Sequence, residues 1–284
     1  MDSLDQSERI KLIHQIRSAA GLLLVVSGGL LFLDQYLHTG WISLAILPTV
    51  GVLAYLYGIR LRYEPLIILG GILSGLGVGA VIAFTPIGHN PGILWQLGNV
   101  MQFFGLGWLS VTIATRIFIH RTAWWSLLLA GIFGSLGACL LYTDVGWADL
   151  VLYGSLGVAL PLIAWGLGAK LVGLIIPGSL VVGAGPGIYM AWGATSEPNG
   201  LVQTGVMLVW FAFGWLLITV LSRVIVSRFA WWPLIPGGIL AVVGCGLYIG
   251  GDPDNALGFI GNTGSIGLMI FGLYLLLMRK GIHR

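Results

Sequence analysis

Charged residues are scarce in this sequence, and their scarcity excludes a whole class of proteins. Only 8% of the 284 residues are Asp, Glu, Lys or Arg, whereas 57% are hydrophobic. An ordinary soluble domain carries about 25% charged residues. So few charges could not cover so much apolar surface in water, which excludes a soluble globular domain. The composition predicts an integral membrane protein, because lipid removes the need for a polar surface.

Cysteine and the usual clusters of reactive side chains are also lacking. The chain has two cysteines, Cys139 and Cys245, and both lie in stretches of small apolar residues, so neither a disulfide nor a catalytic thiol is indicated. The five histidines form no metal-ligand spacing. No ionisable residue lies deep in an apolar run, where such residues are costly and usually functional. We therefore expect no enzyme, no cofactor and no metal site.

Long apolar runs are abundant, and they predict the fold class. A helix of about 20 mainly apolar residues crosses a bilayer, and helices are required because unpaired backbone groups are costly in hydrocarbon. The sequence predicts an all-α, polytopic protein with one transmembrane domain over 18–280, an N-terminal segment 1–17 and a tail 281–284. Its ten predicted spans are 18–37, 41–58, 65–85, 94–118, 123–142, 149–168, 171–193, 201–222, 230–249 and 257–278.

The charged residues sort cleanly between the two sides of these spans. With the N-terminus inside, all 13 Lys and Arg residues fall in the inner connections or the tails. The outer connections carry only acidic charges, for example Asp144 and Glu197. The positive-inside rule then places both termini in the cytoplasm. The basic pI of about 9.0 is therefore no sign of nucleic-acid binding, because the cations are spread thinly along the inner membrane face.

One phrase occurs twice in the chain. RTAWWSLLLAGIF begins at Arg121, and RFAWWPLIPGGIL begins 107 residues later at Arg228. The repetition predicts a tandem repeat of 41–148 and 149–255 and, at a finer grain, five helical hairpins in series. Paired tryptophans enter the membrane just after each cation and are interpreted as anchors at the inner interface. These anchors are Trp124, Trp125, Trp231 and Trp232.

Glycines recur at four-residue intervals in several spans. Gly71, Gly75 and Gly79 share one face of span three, and Gly183 and Gly187 share one face of span seven. In lipid, helices associate through close packing at such small residues. We expect the odd-numbered spans to form the packed interior.

Uncharged polar residues supply the candidate site. Gln96, Asn99 and Gln102 follow one side of span four, Gln203 repeats the first position in span eight, and Asn262 resembles it in span ten. These amides either line a shallow, outward-facing cavity or form hydrogen bonds between helices. Asp34, near the outer end of span one, is either a wet interfacial carboxylate or part of a site.

A glycine- and proline-rich segment marks span seven as a candidate helix break. In GAGPG, residues 183–187, Pro186 removes a backbone donor between Gly185 and Gly187. Transporters often bind substrates at broken helices near the midplane. A simple kink is the alternative.

Residues 21–62, GLLLVVSGGLLFLDQYLHTGWISLAILPTVGVLAYLYGIRLR, resemble the two-helix transmembrane module of LiaI/LiaF-like proteins. AWWPLIPGGIL at 230–240 resembles the WPL…G start of the same module. The resemblance implies a bacterial membrane protein connected with envelope stress. This chain departs from the family in joining five hairpins without an appended soluble domain.

Two functions remain open at this level. One is a non-enzymatic scaffold or accessory subunit of the bacterial cell membrane, whose partners are membrane lipids and a partner membrane protein or a second copy of the chain. The other is a transporter or channel for a small neutral or apolar solute, which the duplication favours.

Overall fold

The computed structural model describes residues 6–38, 42–84, 92–193, 199–226 and 231–250, together with positions 258, 261, 264 and 265. Throughout this part of the chain the regular structure is helical, with no strand. The prediction of an all-α fold is confirmed.

Nine α-helices are present in the described ranges. A 3₁₀ turn, Ser43–Ala45, leads into the second helix, and a π-helical turn, Thr115–Ile119, continues the fourth. The helices are α1 Gln6–Leu37, α2 Ile46–Leu61, α3 Glu64–Phe84, α4 Ile93–Ala114, α5 Trp124–Tyr142, α6 Trp147–Ala169, α7 Val172–Trp192, α8 Gly200–Val226 and α9 Leu234–Gly250.

Seven helical segments are long and apolar enough to cross a membrane. They run in sequence from Ser43–Leu61 to Gly200–Val224 and coincide with predicted spans two to eight. Spans one and nine correspond to shorter apolar segments, Leu24–Leu37 and Leu234–Ile249. Span ten, 257–278, lies outside the described residues apart from four isolated positions. A count of ten spans therefore remains a prediction.

The chain divides into two compact units, Met1–Asp144 and Val145–Arg284. In the first unit α2, α3, α4 and α5 pack as a row in which each helix contacts chiefly its neighbours in sequence. In the second unit α6, α7, α8 and α9 form a row of the same kind. The middle of each row holds one odd-numbered and one even-numbered span, so the expectation that odd-numbered spans alone form the interior is wrong. A row gives every middle helix two neighbours, whichever way it crosses.

Glycines let the middle helices of each row approach closely. A Cβ atom on Gly75 of α3 would lie 2.7 Å from the carbonyl oxygen of Phe103 in α4. In the second unit a Cβ on Gly183 of α7 would lie 2.8 Å from the carbonyl oxygen of Trp210 in α8. Real Cβ atoms do not approach that closely, so the backbones at these points are in contact only because the side chain is a hydrogen atom.

The turns after α2 and α6 end in the same way. Arg62 (φ 52°) and Lys170 (φ 56°) adopt the left-handed conformation. The backbone N–H groups of Tyr63 and Leu171 donate to carbonyls five residues earlier, at 3.0 and 2.8 Å. This is the Schellman ending, in which the left-handed position is usually glycine. A cation takes that position in both units.

Candidate functional site

The predicted amide line lies on α4 in the first unit, and its members differ in environment. Asn99 is only 7% exposed, and its Nδ2 donates a hydrogen bond to the Trp95 carbonyl of the same helix at 2.9 Å. Gln96 is half-buried. The Oε1 of Gln102 is buried with no hydrogen-bond partner among the described residues. One amide of the three is thus bonded within α4, and one carries an unsatisfied acceptor.

The other predicted polar residues are distributed elsewhere. Gln203 is half-buried on α8, in the second unit, and Asn262 lies outside the described residues. Asp34 accepts a hydrogen bond at its Oδ1 from the backbone N–H of Ile42, at 3.1 Å. That bond ties the end of α1 to the turn before α2, which gives Asp34 a structural task.

The segment Gly185–Gly187 lies inside a continuous helix. α7 runs from Val172 to Trp192 with Pro186 inside it, so this segment supplies no helix break. A Cβ on Gly187 would lie 2.9 Å from the Cβ of Trp210 in α8, and one on Gly185 would collide with Ser155 of α6. The small residues of this segment let α7 pack against helices on two sides.

The tryptophans predicted as anchors include two that pack on rings of the preceding helix. Trp125 meets Trp108 edge-to-face, with ring centroids 5.2 Å apart. Trp232 meets Trp215 in the same manner at 5.9 Å. Trp124 is half-buried and Trp231 is exposed. Sequence reasoning missed these ring pairs, although both members recur at the 107-residue offset that revealed the repeated phrase.

A buried hydroxyl pair joins α4 to α5 one turn further along. The Oγ1 of Thr112 and the Oγ of Ser126 are 2.7 Å apart, and both residues are buried. At the corresponding positions of the second unit stand Thr219 and Pro233. Proline offers no hydroxyl, and the buried Oγ1 of Thr219 has no hydrogen-bond partner among the described residues.

A cleft of about 320 Å³ lies between α8 and α9. Sequence reasoning missed it, because aliphatic and aromatic residues in a span carry no signal that separates a cleft from ordinary packing. Its lining is uncharged and almost wholly apolar, and it consists of Val206, Val209, Trp210, Cys245, Tyr248 and Ile249.

Ligand sets for a metal were sought among the same residues. The described part of the chain holds no group of three or more His, Cys, Asp and Glu side chains placed to bind an ion. The features that the structure does assemble are apolar: glycine contacts, tryptophan pairs and a hydrocarbon-lined cleft.

Together these features define the class of the molecule: an all-α protein whose seven long apolar helices are those of a multi-pass membrane protein. Comparison with known proteins adds no narrower assignment. A scan against family models finds no match, and searches of curated proteins and of solved structures find no significant similarity.

Proposed function

We propose that the protein is a non-enzymatic scaffold or accessory subunit of a bacterial cell membrane, which it crosses ten times with both termini in the cytoplasm. The observation that carries the proposal is the apolar surface on two opposite sides of α4. Leu97 and Leu106 are nine positions apart, which is half a turn beyond two full turns of a helix. They are 47% and 46% exposed.

The remaining two sides of α4 are occupied by its neighbours. A Cβ on Gly105 would lie 2.6 Å from the backbone nitrogen of Gly134 in α5, and one on Gly107 would lie 3.1 Å from the Cα of Gly75 in α3. The row is therefore one helix thick at α4, with apolar side chains on both broad sides. Such a layer offers its surface to lipid and to the helices of other proteins.

The cations support the proposed orientation. Arg60, Arg62, Arg121 and Lys170 are exposed at the ends of helices or in the turns between them. Each cation near an anionic leaflet contributes about 1 kcal/mol of attraction. The resemblance of residues 21–62 to LiaI/LiaF-like modules adds envelope stress as the process that such a scaffold would serve.

Site-specific crosslinking in living bacteria tests the partner. A photoreactive amino acid replaces Leu106 in one variant and Leu97 in another, so that the two probes sit at equal exposure on opposite sides of one helix. A scaffold with a docked partner helix gives a discrete protein adduct from one position and lipid adducts from the other. Lipid adducts alone from both positions would contradict docking on this helix.

A second candidate, a transporter or channel for a small neutral solute, is favoured by the unsatisfied Oε1 of Gln102. A solute donor would satisfy that oxygen. The second unit carries Val209 at the corresponding position, so Gln102→Val is a substitution that a row of this kind accommodates. Loss of solute flux with retention of folded protein would support transport, and unchanged flux would count against it.

A further inference from the structure

The cleft between α8 and α9 is built beside a glycine contact. A Cβ on Gly205 would lie 2.7 Å from the carbonyl oxygen of Gly244, and one on Gly244 would lie 2.8 Å from that of Gly205. The backbones therefore meet here. The lining residues Val206 and Cys245 directly follow the two glycines in sequence, and their larger side chains stand beside the contact as walls.

The chemistry of these walls selects hydrocarbon. The lining has no charged group, and its side chains are aliphatic or aromatic apart from one thiol. Trp210 is held edge-to-face against Phe213 at 6.2 Å. Apolar cavities of this kind exclude water and accept apolar molecules. An ion or a sugar would find no partner here.

The position of the cleft along the helices indicates what form the hydrocarbon takes. Tyr248 and Ile249 are 57% and 67% exposed and lie within the last three residues of α9, which ends at Gly250. The cleft thus reaches the end of the helix, where a bilayer meets its polar headgroups. A chain bound there extends along the two helices while its head remains at the interface. This is the geometry of a phospholipid acyl chain.

The first unit has different residues at the same place. Positions 107 residues before Val206 and Val209 hold Asn99 and Gln102, and Leu141 stands where the second unit has Tyr248. The Leu141 side chain packs on Gly98, because a Cβ there would lie 2.9 Å from its Cγ. The apolar lining therefore belongs to the second unit and is not a general consequence of this type of helix pair.

We propose that the α8–α9 cleft binds one acyl chain of a bilayer phospholipid, with the Cys245 thiol alongside the chain. The proposal rests on the membrane location proposed above. It assigns the second unit a lipid site that the first unit does not share.

Photolabelling from the lipid side tests the site. The full chain is placed in nanodiscs that contain a trace of phospholipid with a diazirine in its acyl chain, and adducts are mapped by mass spectrometry. We expect severalfold enrichment of adducts on α8 and α9 residues of the cleft over the exposed residues Leu106 and Ile113 of α4. Val209→Trp should remove the enrichment, whereas Val220→Trp, which adds the same bulk to an exposed position of α8 away from the cleft, should preserve it.

The outcomes separate this proposal from the membrane location on which it rests. Labelling of the α4 residues without enrichment at the cleft overturns the acyl-chain site and leaves the membrane location standing. Absence of labelling at both places overturns the membrane location.

A measurement on the unmodified chain covers the case in which Val209→Trp fails to fold. Alkylation of Cys245 by N-ethylmaleimide is followed in a steroid detergent, which has no alkyl chain, before and after phospholipid is added. Phospholipid should slow the reaction severalfold, with the fully buried Cys139 as internal reference. An unchanged rate at Cys245 would refute the proposal.

Discussion

The two units differ in how polar groups join their helices, although they place glycines and tryptophans alike. In the first unit the Tyr55 hydroxyl donates to the Ser110 carbonyl at 2.8 Å and so ties α2 to α4. The corresponding positions in the second unit are Ile163 and Leu217, which have no side-chain polar atoms. The hydroxyl pair between α4 and α5 likewise has no counterpart between Thr219 and Pro233.

This difference shows which contacts a helical row in lipid can exchange. A hydrogen bond between membrane helices contributes about 1 kcal/mol or less, and an aliphatic pair costs nothing in hydrocarbon. A side chain placed between two touching backbones has nowhere to go. Glycine contacts are therefore the shared part of the two units, and polar ties are the variable part.

The largest expected effect comes from adding a methyl group to the shared contacts. Gly75→Ala and Gly183→Ala each place a Cβ within 3 Å of a carbonyl oxygen of the next helix, so the helices must separate. We expect each substitution to lower stability by about 1–3 kcal/mol, the usual cost of overpacking. Denaturation of the purified protein in mild detergent, followed by size-exclusion chromatography, measures the loss.

Gly154→Ala on α6 is the matched control. Nothing lies within 4 Å of a Cβ at Gly154, so alanine there should raise stability by about 0.5–1 kcal/mol through helix propensity alone. If Gly75→Ala were tolerated while Gly183→Ala was not, the equivalence of the two units would fail at its central contact.

A smaller effect of opposite sign separates the two threonines. Thr112→Val removes a hydroxyl that bonds to Ser126, and we expect a loss of about 0.5–1.5 kcal/mol. Thr219→Val removes a buried hydroxyl with no partner among the described residues, and we expect no loss or a gain in stability. Parallel unfolding curves of the two variants decide the matter.

A double-mutant cycle sharpens this comparison. Pro233→Ser recreates in the second unit the residue that bonds Thr112 in the first. Its coupling with Thr219→Val should approach the coupling of Ser126→Ala with Thr112→Val. A coupling near zero in the second unit would show that the hydroxyls do not meet there, and hence that the two helix pairs differ in more than one residue.

The sequence predicts the helices better than it predicts their arrangement. Spans two to eight coincide with apolar helices because a bilayer fixes the length of an apolar run. The row arrangement was not foreseen, because GxxxG steps such as Gly71 and Gly75 identify a close-packing face without naming the neighbour. Gly70 and Gly77 place a second such face on the α2 side of α3, which four-residue spacing alone does not reveal.

The candidate site was harder to predict for a physical reason. Sequence reasoning selects polar residues, and Asp34 and Asn99 turned out to bond to backbone groups nearby. The cleft is formed by residues such as Val209 and Ile249, whose types are ordinary in any span. Its existence depends on the distance between two helices, which the Gly205–Gly244 contact sets.

The smallest expected effect concerns the left-handed cations. Arg62→Gly relieves a non-glycine residue of the left-handed conformation, which costs about 1–2 kcal/mol, but it also removes a cation that favours the helix C-terminus by about 0.3–1 kcal/mol. The net result should be a gain in stability below about 1 kcal/mol. Lys170→Gly should behave alike, because both turns have the same hydrogen bonds. Thermal unfolding of both variants tests the agreement.

Arg60→Gly removes the same charge two residues earlier, inside the last turn of α2. Glycine within a helix is less favourable than an ordinary residue by up to about 1 kcal/mol, so this variant should lose stability where Arg62→Gly gains it. Equal losses from both would show that charge outweighs backbone conformation at this turn. The left-handed cations would then be retained for their charge at the membrane surface, and the likeness of the two turns would reflect the lipid outside them more than the fold.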